Sequence, residues 1–176
     1  MYSTKALLFN WTAGYTAFMV EPERITALNT CALAPQAGFV LYWMHASQRT
    51  QDNPALHYAA ALANSMALEL CVLFVHTAQS PGSSAHCAWM LTGISETAIT
   101  LRKAGIGFLY REARNSQELQ HIVIAESKHA AALVCDAHPA YSTNSIQQKL
   151  ANKLSIAVHV VDGDSIVPFR HASPKR

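Results

Sequence analysis

GFVLYWMHASQRTQDNPALHY, residues Gly38 to Tyr58, holds a buried strand, a polar crest and a capped helix start in a single run. Phe39 to Met44 is a continuous apolar stretch rich in aromatic residues and bounded by Gly38. A run without polar alternation suits a strand covered on both faces, as in a parallel sheet. Asp52 or Asn53 can cap the next helix, and Pro54 suits its first turn, where a missing N–H costs nothing. Ala55, Leu56, Ala59, Ala60, Leu62 and Ala63 then give that helix an apolar face. A strand that delivers polar residues to a helix N-terminus is how open α/β sheets build ligand crevices.

Outward from this unit, the chain alternates strands and helices. Leu70–Val75, Ile106–Tyr110, Ala130–Cys135 and Ile156–Val161 read as further strands. Helices are expected over about 53–67, 84–104, 115–128 and 142–154, with Gly105 stopping the long one and Asn115 or Ser116 capping the third. Upstream, Glu21–Asn29 carries acids and Pro22 in a first turn and reads as a short helix. Strand–helix alternation implies right-handed crossovers. The expected fold is α/β: a Rossmann-like, doubly wound, five-stranded parallel sheet of order 3-2-1-4-5 with helices on both faces. Residues 1–21 form an N-terminal arm, 22–170 the domain and 171–176 a basic tail.

At 176 residues, the chain is long enough for one real core. Only 14% of it is charged, against about 25% in ordinary globular proteins, which points to a surface that is partly covered. The expected association is a homodimer or a tight complex. A net charge of +2 is too small to argue for nucleic acid, and direct DNA binding is not expected. Four cysteines without metal-finger spacing fit a reduced, cytoplasmic protein, and no apolar stretch approaches the roughly 20 residues of a membrane span.

Family resemblance rests on ordered motifs. Tyr42-Trp43-Met44, Ser47-Gln48-Arg49 and Gln51-Asp52-Asn53 with Ala55-Leu56 resemble the first strand and helix of class II DNA photolyases, which repair cyclobutane pyrimidine dimers with light. Arg24-Ile25, Leu28-Asn29, Trp89-Met90-Leu91, Gly93-Ile94, Glu96, Val161-Asp162 and Ile166-Val167-Pro168 continue the likeness over about residues 23–169. It covers the family's N-terminal α/β domain; the helical domain that binds FAD and the lesion has no counterpart in these residues. The resemblance implies an antenna chromophore (deazaflavin, folate or flavin) at the strand ends, without FAD bound in the catalytic mode. It also implies that this chain alone does not repair DNA. Two roles follow: a ligand-binding or interaction module, or the α/β subunit of a split photolyase with a separate helical partner. Departures lie at the rim: His45-Ala46-Ser47 replaces Ser-Arg-Asp, Ala137-His138 replaces Phe-Ser, Ala140-Tyr141 replaces Leu-Arg, and Gly163-Asp164-Ser165 replaces Ala-His-Asn.

The candidate ligand-binding residues are those at the strand carboxyl ends: His45, Ser47, His76, Asp136, His138 and Asp162. Asp136 and Asp162 equally suit capping of whatever helix follows their strands, and Arg49 and Asp52 suit a local pair. Three loop histidines without HxH or HxxxH spacing make a poor metal set. Ser47, His138 and Asp136 lack the GxSxG elbow of a hydrolase, and no GxGxxG or P-loop occurs, so no catalytic residue is assigned.

Overall fold

The computed structural model describes residues 20–77, 83–137 and 141–168. Residues 1–19 of the N-terminal arm, the C-terminal tail and His138 lie outside these residues. The elements are β1 (Ile25–Ala27), β2 (Phe39–Trp43), α1 (Pro54–Ser65), β3 (Glu69–Thr77), α2 (Ser84–Lys103), β4 (Gly107–Ala113), α3 (Ser116–Glu126), β5 (Ala130–Asp136), α4 (Tyr141–Ala151) and β6 (Ala157–Val161).

They form one six-stranded sheet of order β1-β6-β5-β2-β3-β4. Neighbours from β4 across to β6 pair in parallel, while β1 runs antiparallel along β6. The expected count of five strands is therefore corrected to six. The short helix expected at Glu21–Asn29 is corrected too: Pro22–Arg24 makes one 3-10 turn, then Ile25–Ala27 pairs with Val161–His159. Local acids and Pro22 favour a turn, but pairing with a strand far along the chain settles the conformation of the residues after it. A tertiary partner overrides weak local preference here.

Two side chains clasp this edge strand in place. Asn29 donates from Nδ2 to the carbonyls of Ala151 (3.1 Å) and Ile156 (2.9 Å), and its Oδ1 accepts from the Val158 amide at 3.2 Å. Arg24 donates to the carbonyls of Ser165 (2.7 Å), Ile166 (3.0 Å) and Asp162 (3.4 Å), and its Nε meets Glu21 at 3.1 Å. The chain leaving β6 is thereby held against β1.

The core lies on both faces of the sheet. On one face Val40, Tyr42, Met44, Val72 and Val134 pack against Leu56, Ala59 and Ala63 of α1 and Leu101 of α2. On the other, Leu41, Trp43, Leu73, Leu133 and Val158 pack against Leu119 and Val123 of α3 and Leu150 of α4. Alternate residues of β2 thus serve opposite layers, which is why its sequence shows no polar alternation.

Helix ends follow local chemistry. Asn53 caps α1 by accepting from the Leu56 amide at 3.0 Å, with Pro54 opening the helix. Asn115 caps α3, accepting from the amides of Gln117 and Glu118. Ser83 caps α2. At their other ends α1 and α2 close in the same way. Leu68 N bonds Ala63 O and Ala67 N bonds Asn64 O; Ile106 N bonds Leu101 O and Gly105 N bonds Arg102 O. Both motifs need a left-handed residue: Gly105 at φ 73°, but Ala67 at φ 54°.

Candidate functional site

β2 lies centrally, with β3 and β4 on one side and β5 and β6 on the other, so the winding direction reverses between β2 and β5. The carboxyl ends of these two strands are where an open α/β sheet leaves a crevice. Met44 N donates to Leu73 O at 2.9 Å, and the chain then turns through residues 45–53 to reach α1.

That loop is organised by a carboxylate from the neighbouring strand. Asp136, 2% exposed at the end of β5, accepts at Oδ2 from the amides of His45 (2.9 Å), Ala46 (3.1 Å) and Ser47 (3.4 Å). Its Oδ1 accepts from the Tyr42 hydroxyl at 2.7 Å. Four donors around one carboxylate satisfy its charge without a cation. Burial, and then the charge of Asp136, push the Tyr42 phenol well above its ordinary range, so it remains a donor.

Asn53 completes the network. Its Nδ2 lies 3.0 Å from Tyr42 Oη, 3.0 Å from Ser47 O and 2.9 Å from Arg49 O, while Oδ1 caps α1. Thr97 of α2 donates to Gln48 O at 3.3 Å, and Gln48 Nε2 to His45 O at 3.2 Å. Arg49 does meet Asp52, but through the backbone carbonyl, at 3.2 Å from Nε and 3.0 Å from Nη2. Asp52 sits at φ 48°, the bend that aims Asn53 into the helix.

The other layer carries a different chemistry. Gln147 of α4, 2% exposed, donates from Nε2 to Asp136 O at 2.6 Å and lies 2.9 Å from His45 Nε2. A carbonyl only accepts, so this Gln147 atom is the amide nitrogen. His45 Nε2 therefore accepts its second proton, and the imidazole proton sits on Nδ1. The His45 ring centroid lies 4.8 Å from that of Trp43. Trp43 is 2% exposed, and its indole Nε1–H has no acceptor among the described residues. A buried donor without a partner is costly and marks a place where an acceptor is missing.

His45, Ser47 and Asp136 of the expected set are thus brought together. Asp162, 6% exposed after β6, accepts from Ser165 Oγ at 2.7 Å, and its amide donates to Arg24 O. Its neighbour Gly163 comes close to the group: a Cβ on Gly163 would stand 3.1 Å from Pro54 Cδ and 3.8 Å from Ser47 Oγ. His76 is not part of the group. It pairs with Glu112 of β4, with β2 standing between its strand and β5. The capping role open to Asp136 is corrected: its carboxylate holds the loop after β2, not the helix after β5. No helix follows Asp162 among the described residues.

Tyr42, Asn53, Trp43 and Gln147 were not among the sequence candidates. Only Asn53 carries a local signal, its capping position before Pro54. Among the described residues, no group of three metal-ligating side chains converges and no helix is long and apolar enough to cross a membrane. Burial raises the Cys71 thiol to about 11 and the Cys135 thiol well above its usual range, so neither offers a thiolate nucleophile.

Comparison with known proteins agrees with this architecture. Residues 40–176 match the DNA photolyase family. The chain is 32% identical over 162 residues to the deoxyribodipyrimidine photo-lyase of Methanothermobacter thermautotrophicus, across 89% of this chain and 35% of that protein. It is 28% identical over 162 residues to the deoxyribodipyrimidine photo-lyase of Arabidopsis thaliana, across 89% of this chain and 32% of that protein. The chain spans about a third of the length of these relatives.

Proposed function

Because the chain belongs to the DNA photolyase family, we infer that it serves light-dependent DNA repair as an α/β module that holds a planar heteroaromatic antenna in the β2–β5 crevice. The observation that carries this reading is the buried Trp43 indole N–H, without an acceptor among the described residues, on a ring beside the His45 ring that Gln147 meets at the winding reversal. A ring carbonyl of a deazaflavin, folate or flavin supplies the missing acceptor, and the Trp43 and His45 rings offer aromatic faces. Once bound, such a group contributes absorption of near-ultraviolet or blue light. The protein's part is to orient the ring, exclude water from the indole N–H and hold the His45 ring in place through Gln147.

Absorbance and fluorescence of the protein purified after exposure to riboflavin, a folate or a deazaflavin test this. Stoichiometric retention of one of them, weakened by Trp43→Phe, is expected. A colourless protein that retains none, with Trp43→Phe indistinguishable from wild type, rules the antenna role out.

A second observation favours a protein partner. Ser84–Gly93, the first half of α2, contains no buried residue although it holds Cys87, Trp89, Met90 and Leu91 and no charged side chain. Trp89 is 76% exposed, and α2 meets the core only through Ile94, Thr97, Ala98 and Leu101. A helical, FAD-bearing photolyase partner, or a second copy of this chain, would bury that face. Photorepair needs a flavin held against a flipped-out lesion. The 176-residue chain with free FAD should therefore leave dimers intact under blue light, and repair should appear on addition of a flavin-bearing helical partner. Dimer loss with this chain alone would overturn the reading, and strict monomers that ignore both occupants would remove the partner surface.

A further inference from the structure

Crevice loops in open α/β sheets hold ligand phosphates with successive backbone N–H groups at a helix N-terminus. Here the three successive amides after β2 are already spent. The amides of His45, Ala46 and Ser47 converge on Asp136 Oδ2, Pro54 has no N–H to offer, and the Leu56 amide is taken by Asn53. The anion seat is filled from within the chain by a carboxylate that is 2% exposed. Among the described residues an unpartnered side-chain donor lies elsewhere, at Trp43 Nε1, which is itself buried, on a ring that stands beside the His45 ring, which Gln147 in turn meets.

We propose that Asp136 is an internal substitute for a ligand phosphate, and that it restricts the crevice to unphosphorylated, uncharged heteroaromatic ligands recognised through a ring carbonyl. The proposal names the ligand class of the antenna site and so rests on that reading for its ligand, but the anion seat stands on its own geometry. A phosphate dianion brought to this loop meets the Asp136 charge in a low-dielectric surround and finds the His45, Ala46 and Ser47 amides already bonded to it. Asp136 acts here as a positioning and excluding residue: it touches the loop amides and Tyr42, not the ring.

Three measurements test the proposal. Backbone amide NMR of the wild-type chain during titration with inorganic phosphate should leave His45, Ala46 and Ser47 unmoved; saturable shifts at these amides would overturn it. Asp136→Ala opens the seat while keeping its donors, so phosphate or acetate should raise the melting temperature of the variant by several degrees over chloride at equal ionic strength. The wild type should show no such anion-specific gain. A folded variant indifferent to anions would also overturn the proposal, and if the variant does not fold, the wild-type titration decides. Riboflavin and FMN then separate the two ideas. Riboflavin should bind on the order of tenfold or more tightly than FMN. Equal affinities would refute phosphate exclusion and leave the antenna site standing. Failure of both flavins would count against the antenna reading, while the phosphate titration still judges the seat.

Discussion

Tyr42→Phe removes one oxygen from the centre of the polar network and leaves the ring in its core layer. The hydroxyl donates to Asp136 Oδ1 at 2.7 Å and accepts from Asn53 Nδ2 at 3.0 Å. Asn53 loses little, because its two amide hydrogens retain Ser47 O and Arg49 O as acceptors. Asp136 loses more: Oδ2 keeps its three amides, but Oδ1 is left in a buried site without its phenolic donor. A hydrogen bond to a charged group is worth about 1.5–3 kcal/mol, so the variant should be destabilised by about 2–3 kcal/mol. In a chain of 176 residues this corresponds to a fall in Tm of roughly 4–12 °C. Urea denaturation measures it, with an unchanged m-value showing that the folded state keeps its extent. The difference also depends on pH. The folded state retains the Tyr42 proton above the phenol's ordinary value of 10.0, whereas the unfolded chain sheds it there. Wild-type stability is therefore whole below that pH and declines above it, and a phenylalanine cannot share in this decline. The gap between wild type and Tyr42→Phe should narrow as pH rises past 10.0. A variant within about 0.5 kcal/mol of wild type at neutral pH would refute the reasoning, because it would mean that Asp136 does not depend on Tyr42.

Ala67 is exposed at φ 54° in the position that Gly105 fills at the end of α2, so Ala67→Gly should stabilise the chain by about 1 kcal/mol and Gly105→Ala should destabilise it similarly. Thermal melts of both variants check this pair. Burial lowers the affinities of His57 and His159 for protons below the ordinary 6.5, and His159 Nδ1 lies 2.7 Å from the Tyr58 hydroxyl. The unfolded chain thus binds more protons near that pH, and stability should be full above 6.5 and fall on acidification below it. His159→Gln should flatten that acid limb in urea titrations. Leu73→Asp places an unpaired charge in a fully buried position of β3 and should leave little soluble folded protein.

Much of this architecture was legible because its causes are local. The apolar run of β2, the Asn53-Pro54 helix start, the Asn115 cap and the Gly105 stop each depend on near neighbours. β1 was not legible, since three residues become a strand only by pairing with β6. The Arg24 and Asn29 side chains stood out in sequence only as family-like residues; their work is to hold carbonyls more than 120 positions away. The site shows the same division. Asp136 announces itself at a strand end, but the direction of its carboxylate depends on the packing of β5 beside β2. A glutamine within a helix carries no local signal, so Gln147 becomes meaningful only when α4 brings it to His45. Trp43 reads as core from sequence and is core; that its indole nitrogen lacks an acceptor among the described residues is a property of everything around it.

The central claim is that the β2–β5 crevice takes an aromatic ligand through the Trp43 indole, and indole ¹⁵N–¹H NMR observes that group directly. The chain has three tryptophans, Trp11, Trp43 and Trp89, and Trp43→Phe assigns the relevant signal. Titration with riboflavin or a deazaflavin should move the Trp43 Nε1–H resonance downfield and slow its exchange with solvent, with Trp89 unaffected. Saturable binding that leaves the Trp43 resonance in place would contradict the account.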